Sequence, residues 1–267
     1  MTNKLFYLKL AVKYSTLTYL GEAMNFFLIL CFLLPQSLIA AELDQYAGET
    51  LSYSLKWNPL GIKWLPNAGA AVFSSSNIEG YFLARVSIKT SNWASQLYLY
   101  DNQLSIAMDS AGGLLWSRAR LTDSSSTAWE VDWYKQQVYR LQNDSLIGTL
   151  LLGGKKPIDA LSAFYLLRNL QLDFGQTLEL EVLGTDFRGQ AHFSKAVITV
   201  LDYEIITWHG QQPCWKVEIR LPSQDNFIPS GRVLVWITVN NERLPLRVVT
   251  DFYWGGIVWP IIGLLKE

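Results

Sequence analysis

The chain has few of the residues that bind metals or form disulfides: two cysteines and two histidines among 267 residues. Cys31 lies in an N-terminal apolar run, so Cys214 is the single cysteine of the remaining chain. One cysteine excludes an internal disulfide and a thiolate zinc site. His192 and His209 fit no metal-ligand spacing, such as two histidines four residues apart on a helix. We therefore predict no metal and no cofactor, and we interpret Cys214 as a small buried hydrophobe.

Catalytic and nucleotide-binding motifs are also missing. The sequence has no Gly-x-Ser-x-Gly nucleophile elbow. The stretch GTLLLGGKKP at 148–157 lacks the Lys-Ser/Thr ending with which a phosphate loop holds phosphate and magnesium. Several carboxylates alternate with apolar residues and are predicted to face solvent: Glu130, Asp132, Glu179, Glu181 and Glu218. These absences predict a protein that is not an enzyme, with no catalytic residues to assign.

The N-terminal 41 residues have the order of a secretory signal peptide. Lys4, Lys9 and Lys13 precede an apolar run at 26–34, and the small residues Ala40 and Ala41 follow at the predicted cut. The apolar run is well short of the ~20 residues that a membrane-spanning helix needs. We predict a signal peptide at 1–41, a single β-rich domain at 42–267 and a periplasmic location. An uncleaved inner-membrane anchor is the alternative, and the true start is Met1 or Met24.

A strong charge of either sign is absent from the predicted domain. Residues 1–41 contain three lysines and one glutamate, so residues 42–267 carry 22 minus 3, or 19, basic and 23 minus 1, or 22, acidic side chains. A net charge of 19 minus 22, or −3, excludes the basic stripe of a nucleic-acid binder. The C-terminal run at 254–265 is twelve residues with three glycines and a proline, which is too short and broken to span a membrane. It is predicted either as a final buried strand or as an exposed docking patch.

What the domain does contain is a repeated two-residue alternation. Leu178, Leu180 and Val182 alternate with glutamates, and Trp215, Val217 and Ile219 alternate with charged residues. Such alternation is typical of antiparallel strands that are covered on one face. Turn-forming clusters separate these stretches, for example at 109–113 and 240–243. The pattern predicts a meander of antiparallel hairpins.

Two stretches differ from this alternation. Ala160, Ala163, Phe164, Leu167 and Leu170 share one face of a helix, and Pro157 suits its first turn. The strand at 233–239 is apolar on both faces, so each face needs a cover. We predict a mainly β fold, in which a curved antiparallel sheet forms a half-barrel or barrel-like structure with one main helix at about 157–170 on its concave face.

Aromatic residues are abundant, and all eleven tryptophans lie beyond residue 41. This excess suits a large core or a ligand cavity, and composition does not separate the two. If a cavity exists, its predicted lining residues are Phe164, Leu167, Leu234 and Trp236, with Trp57 and Trp64 at its rim. The alternative is that these side chains fill the core and that the helix is a plug, not a lid.

The order of several motifs resembles a bacterial exported family known as domain of unknown function 3108. The sequence AGETLSYSLKW at 47–57 fits the family's GE-x-L-x-Y start, and IDALSAFYLLR at 158–168 fits its D-x-L-S-A-x-Y-x-L-R helix. The stretch from Trp236 to Arg247 fits the ending W-x-T-x-D-x-x-R-x-P-x-R, except that Asn240 stands at the acidic position. The resemblance extends over roughly 47–257. It implies an envelope protein of Gram-negative bacteria with a barrel-like antiparallel sheet, and it supplies no activity.

Three hypotheses about function follow from the sequence. The first is a periplasmic protein that binds a hydrophobic or lipid-like ligand, or part of an envelope partner, in cell-envelope biogenesis. The second is a structural or assembly factor that acts through protein contacts, with the apolar 254–265 stretch or a sheet edge as its surface. The third, an enzyme, is disfavoured because the motif search finds no catalytic set.

Overall fold

A computed structural model of the chain describes residues 43–57, 66–96, 99–110, 112–121, 126–185, 191–220, 232–254 and 257–266. The predicted signal peptide at 1–41 lies outside these residues. None of the helices within the described ranges is long and apolar enough to cross a membrane.

Strands dominate the described residues. There are fourteen: β1 Thr50–Trp57, β2 Asn67–Ile78, β3 Tyr81–Thr90, β4 Asp101–Met108, β5 Leu114–Arg120, β6 Ser126–Asp132, β7 Gln137–Gln142, β8 Ser145–Leu151, β9 Thr177–Thr185, β10 Ala191–Thr207, β11 Gln211–Arg220, β12 Arg232–Thr238, β13 Pro245–Trp254 and β14 Ile257–Leu265. The helices are a 3₁₀ turn at Leu43–Tyr46, the short α1 at Asn92–Ser95 and the main helix α2 at Ala160–Asn169.

The fourteen strands form one sheet, and every pair of neighbours is antiparallel. The order is β8-β7-β6-β5-β4-β3-β2-β1-β14-β13-β12-β11-β10-β9. Consecutive strands are neighbours within β1–β8 and within β9–β14, as the meander prediction requires. The two series join through β1 and β14, where Tyr53 pairs with Leu265 and Trp57 with Ile261. The predicted fold class, mainly β with one main helix, is confirmed.

Helix α2 is shorter than predicted, because the chain before it stays extended. Ile158 makes an isolated parallel bridge with Val182 of β9, and its carbonyl accepts a hydrogen bond from the N–H of Leu183 at 2.8 Å. Asp159 then caps the helix with an extended backbone. Pro157 therefore precedes the helix and does not lie in its first turn.

The sheet wraps around α2. Leu161 and Tyr165 belong to a core cluster that includes Val138 of β7, whereas Leu167 belongs to one that includes Val217 of β11 and Val235 of β12. In a flat sheet, the nine strand spacings from β7 to β12 would separate these strands by roughly 43 Å. A ten-residue helix is only about 15 Å long, so the sheet must curve to bring both series onto it. The helix packs on the concave face, as predicted.

The two ends of the sheet overlap and do not pair edge to edge. Leu183 and Phe193 are cross-strand partners on the face of β9–β10 opposite to Ala196 and Ile198. They belong to the same apolar cluster as Val138, Leu150 and Leu152, which come from β7 and the end of β8. The inner face at the β8 end of the sheet therefore covers the outer face at its β9 end.

The doubly apolar strand is β12, and both of its faces are covered. Val233, Val235 and Ile237 belong to the core cluster that contains Leu167 of the helix. Trp236 points to the outer face, where only 4% of it is exposed. The apolar run near the C-terminus is also explained, because β14 lies inside the sheet between β1 and β13. This placement matches the prediction of a final strand.

One carboxylate that was predicted to face solvent is buried. Glu218 lies on the outer face of β11, as its alternation requires, but only 5% of the residue is exposed. Arg220 and Arg232 each donate a hydrogen bond of 2.8 Å to its carboxylate and cover it. Burial raises the pKa of Glu218, and these two hydrogen bonds outweigh that effect and hold the pKa below its ordinary value. The prediction failed because alternation identifies a face of the sheet, not what covers it.

Candidate functional site: the buried helix and an exposed edge strand

The N-terminus of α2 is fixed to the sheet by a buried carboxylate. Asp159 Oδ1 accepts hydrogen bonds from the backbone N–H and the hydroxyl of Ser162, both at 2.7 Å. Its Oδ2 accepts a hydrogen bond from the Ser117 hydroxyl of β5. Burial raises the pKa of Asp159 above its ordinary value, and these hydrogen bonds partly offset the effect. Asp159 is therefore both the helix cap and a link to the sheet.

The C-terminus of α2 is held by Arg168, whose side chain is fully buried. Its guanidinium makes two hydrogen bonds to the Glu49 carboxylate, at 2.5 and 2.7 Å. It also donates to the carbonyls of Arg243, at 3.0 Å, and Glu242, at 3.2 Å. Its central carbon lies 3.9 Å from the centroid of the Tyr46 ring. This bidentate and stacked geometry is specific to arginine.

Arg168 thus joins three segments that are far apart in the sequence. They are the residues just before β1, the helix, and the turn between β12 and β13. A second link lies beside it, because the Tyr53 hydroxyl of β1 donates to the Pro245 carbonyl of β13 at 2.6 Å. Burial raises the pKa of Tyr53 far above its ordinary value, so this phenol stays a neutral donor. We call Glu49, Tyr53, Arg168 and the carbonyls they contact the helix junction.

The predicted ligand-lining residues occupy two faces of the sheet. Phe164 stacks on Phe73 of β2 with 4.8 Å between ring centroids, and Leu167 is fully buried. Leu234 and Trp236 alternate with the three residues of β12 that pack near Leu167, so they lie on the opposite face. Phe164 and Leu167 lie together on the helix, and Phe164 also packs against the apolar cluster that contains Leu234 and Trp236.

Of the two predicted rim residues, the structure describes Trp57. Trp57 packs edge to face against Trp93 of α1, with 5.4 Å between ring centroids. Trp64 lies outside the described residues.

Charged side chains cover Trp236 on the outer face. Its indole N–H donates to Glu204 at 2.7 Å, and Lys216 and Arg247 lie 5.3 and 4.5 Å from its ring centroid. The hydrogen bond from Lys216 holds the pKa of Glu204 below its ordinary value. These charged side chains help to shield an apolar residue of the outer face.

The edge strand β8 exposes apolar side chains. Leu146 is 60% exposed, Ile147 46% and Leu151 68%. The strand reads SLIGTLL and has no charged residue. The opposite edge, β9, differs: Glu179 pairs with Lys195, Glu181 pairs with Lys155, and Ile158 bridges to the strand. Among the described residues, β8 is therefore the less protected end of the sheet.

The segment that contains the helix, the β9 edge and most of the second series of strands matches a known family. Residues 154–259 match the family described as "Protein of unknown function (DUF3108)". The resemblance seen in the sequence is confirmed over this range, and its extension to the residues before 154 stays a prediction.

The DUF3108 helix motif has a direct structural explanation. All seven of its specified residues are buried in this chain: Asp159, Leu161, Ser162, Ala163, Tyr165, Leu167 and Arg168. Helical periodicity predicts one apolar face, but the curved sheet surrounds the helix, so residues on its other sides are buried as well. The motif therefore describes a helix that fits inside a sheet.

A search of curated proteins found no match to this chain. One similar solved structure is the crystal structure of a "Beta-barrel-like Protein of Domain of Unknown Function DUF1849 from Brucella abortus". It has 10% sequence identity and a TM-score of 0.47, and the alignment covers 82% of this chain and 95% of that one.

The departure of this chain from the DUF3108 ending is accommodated locally. Asn240 accepts a hydrogen bond from the Thr238 hydroxyl at 2.6 Å, and that hydroxyl accepts one from the N–H of Leu244 at 2.8 Å. The amide oxygen of Asn240 thus holds the turn that presents the two carbonyls to Arg168.

Sequence reasoning missed the partners in the helix junction. The helix motif places Arg168 at its last position and indicates no partner for it. Its partner Glu49 lies 119 residues away, and no local pattern connects the two. Sequence reasoning also missed the exposed β8 edge. The stretch SLIGTLL has no charged residue and no alternation, which is a signal, but the sequence does not show that this strand lies at the edge of the sheet.

Proposed function

We propose that this is an exported, non-enzymatic protein of the cell envelope that acts as a structural or assembly factor through protein contacts. Its docking surface is the free edge of β8. The observation that carries the proposal is the exposure of three aliphatic side chains on an uncharged edge strand.

Unprotected edges are uncommon in folded proteins. An edge strand presents unpaired backbone donors and acceptors, and natural sheets protect such edges with charges, proline, bulges or a cover. The β9 edge is protected by ion-paired glutamates and a bridge, whereas the protection seen on β8 is a register irregularity at Ile147, and Leu146, Ile147 and Leu151 stay exposed. This contrast favours a partner strand on β8. Because β8 carries no charge, the partner we propose is an extended, uncharged apolar segment of another envelope protein, added to the sheet as a fifteenth strand.

The packing of the interior favours this proposal over a hydrophobic or lipid-like ligand. Such a ligand needs space next to Phe164 and Leu167, two of the residues that the sequence predicted to line a cavity if one exists. Phe164 instead stacks on Phe73, and Leu167 packs among residues of β10, β11 and β12. These contacts support the interpretation of the helix as a plug. Native mass spectrometry of the protein purified from its own compartment tests the ligand hypothesis through co-purified lipid.

Export and a periplasmic location belong to the same proposal. They rest on the basic, apolar and small-residue order of residues 1–41. The resemblance to an exported bacterial family supports them. Fractionation of cells that express the chain, with N-terminal sequencing of the product, tests both.

Site-specific photo-crosslinking tests the edge. A photoreactive amino acid at Ile147 should yield one discrete crosslinked partner in cells, whereas the same residue at Ile78 should not. Ile78 is a matched control because it is 53% exposed at the end of another strand. With the partner purified, Ile147→Lys should weaken binding by at least about tenfold, since a buried lysine interrupts strand addition. Ile78→Lys should leave binding unchanged.

Two results would contradict the proposal. One is the absence of a crosslink at position 147 above the level seen at position 78. The other is a crosslink from 147 to a second copy of this chain, which would make the edge a self-association surface.

A further inference from the structure

The outer face of β3–β6 carries a cleft of about 340 Å³. Small residues form its floor, chiefly Ser105 of β4 and Ala128 of β6. Long side chains form its walls: Arg85, Trp116, Arg118 and Glu130. The cleft exists because the short side chains of Ser105 and Ala128 are flanked by long ones at neighbouring positions on the same face of the sheet.

Two arginines flank the floor of this cleft. Arg85 pairs across the ladder with Ser105, and Ser105 pairs with Arg118, so all three share a face. The two arginine backbones are then roughly 10 Å apart, two strand spacings. Arginine side chains are long enough to reach one anion above the serine from both sides. Arg85 already leans this way, because its Nε donates to the Ser105 hydroxyl at 3.2 Å.

The arginines are available to a ligand. Both are exposed, and Arg118 makes a 3.4 Å ion pair with Asp144 in which the two side chains are 53% and 75% exposed. Exposed ion pairs of this kind contribute little to stability, so an anion in the cleft can replace Asp144 as the partner of Arg118. Two guanidinium groups around one site favour a carboxylate or a phosphate.

The other wall suits a sugar ring. Trp116 is 39% exposed on the same face of β5 as Arg118, two residues away, and it pairs across the ladder with Glu130. An exposed indole face stacks against the C–H groups of a pyranose. The Glu130 carboxylate and the Ser105 hydroxyl can accept hydrogen bonds from the hydroxyl groups of a sugar. An aromatic acid without hydroxyl groups would leave these two acceptors unused.

We propose that this cleft binds a sugar that carries one acidic group. The acidic group lies between Arg85 and Arg118, the ring lies on Trp116, and Glu130 accepts hydrogen bonds from ring hydroxyls. The volume of the cleft is at the lower end of the range for small-molecule sites, about 300–1,000 Å³, which suits a single sugar unit.

Calorimetric titration of the domain with three probes tests the site: D-glucuronate, D-glucose 6-phosphate and D-glucose. We expect both acidic probes to bind and neutral glucose to bind at least about tenfold more weakly, since the charged hydrogen bonds carry the difference. Equal binding of glucose, or no response to any probe at about 10 mM, overturns the proposal.

Substitutions locate the site on the chain. Arg85→Gln and Arg118→Gln should each weaken glucuronate binding about tenfold, and Trp116→Ala should abolish it. Arg120→Gln is the matched control, because Arg120 lies two residues from Arg118 on the same exposed face but outside the cleft lining. If Arg120→Gln weakens binding as much as Arg118→Gln, the attraction is a general effect of surface charge and the proposal fails. Unchanged thermal unfolding of each variant separates loss of the site from loss of the fold.

Discussion

At the scale of single residues, the most consequential contact is the ion pair between Arg168 and Glu49. A buried charge is tolerated only when its partners are close and its donors are satisfied. Glu49 and two backbone carbonyls meet that requirement here. The pair therefore determines where the helix ends relative to the first strand.

Breaking this pair should be costly, and a surface pair in the same protein provides the control. Glu49→Gln and Arg168→Met should each lower the free energy of unfolding by about 3–5 kcal/mol, because each leaves a buried group unpaired. The double variant should lose much less than the sum of the two, so the coupling energy of the pair in a double-mutant cycle should be large. The matched cycle uses Glu179→Gln and Lys195→Met, whose side chains are 57% and 66% exposed. Its coupling should be below about 1 kcal/mol. Equal couplings in urea unfolding would contradict the role given to burial.

Acid should weaken the fold partly through Glu204. The hydrogen bond from Lys216 lowers the pKa of Glu204 in the folded state below its ordinary value of 4.5. The contribution of Glu204 is therefore complete above pH 4.5 and is lost as the pH falls through the lowered folded pKa. Urea midpoints measured from pH 6 down to pH 3 should fall less steeply in Glu204→Gln than in the wild type. If the urea midpoints of the two proteins fall in parallel with pH, Glu204 does not contribute to the loss of stability in acid.

At the scale of elements, helix α2 depends on the sheet and on its cap. An isolated helix of ten residues is marginal in water, so its stability comes from packing and from fixed ends. Asp159 supplies one of these ends and Arg168 the other. Tyr165 and Leu167, both fully buried, supply the packing between them.

Substitutions of Asp159 separate the cap from the charge. Asp159→Ala removes the acceptors for Ser162 and Ser117 and should lower the free energy of unfolding by about 2–4 kcal/mol. Asp159→Asn keeps an amide oxygen for Ser162 and should cost about half as much or less. Thermal unfolding followed by circular dichroism measures both. A loss for Asn as large as that for Ala would mean that the charge of Asp159, not its acceptor geometry, holds the helix.

Elements were predictable from the sequence where a local pattern determines them. The alternations at 178–182 and 215–219 identified strands, and the spacing from Ala160 to Leu167 identified the helix. Its start was wrong by three residues, because the bridge from Ile158 to Val182 is a contact between distant segments. The same limit explains Glu218, Glu49 and the β8 edge: burial and edge position depend on which strands become neighbours.

At the scale of the whole molecule, the two series of strands share one interior. The core clusters combine residues of α2 with strands from β2–β7 and from β10–β12. Neither series has a complete core of its own, because the helix lies between them in sequence and packs against both. The sheet is accordingly one cooperative unit.

Separate production of residues 42–153 and 154–267 tests this unity. Each fragment should lack a cooperative thermal transition, because each exposes the apolar face that the other covers. Mixing the two during refolding should restore a transition, since their contacts are noncovalent. Dispersed amide spectra from residues 154–267 alone would contradict the shared core and would identify the DUF3108 segment as an autonomous domain.

The pairing of β1 with β14 has a consequence for the timing of folding. β1 lies in the middle of the sheet, and one of its two neighbours is β14, which the chain reaches about 200 residues later. A ribosome that synthesises this protein releases β1 long before it has made Ile261 or Leu265. The centre of the sheet can therefore be completed only after β14 has left the ribosome.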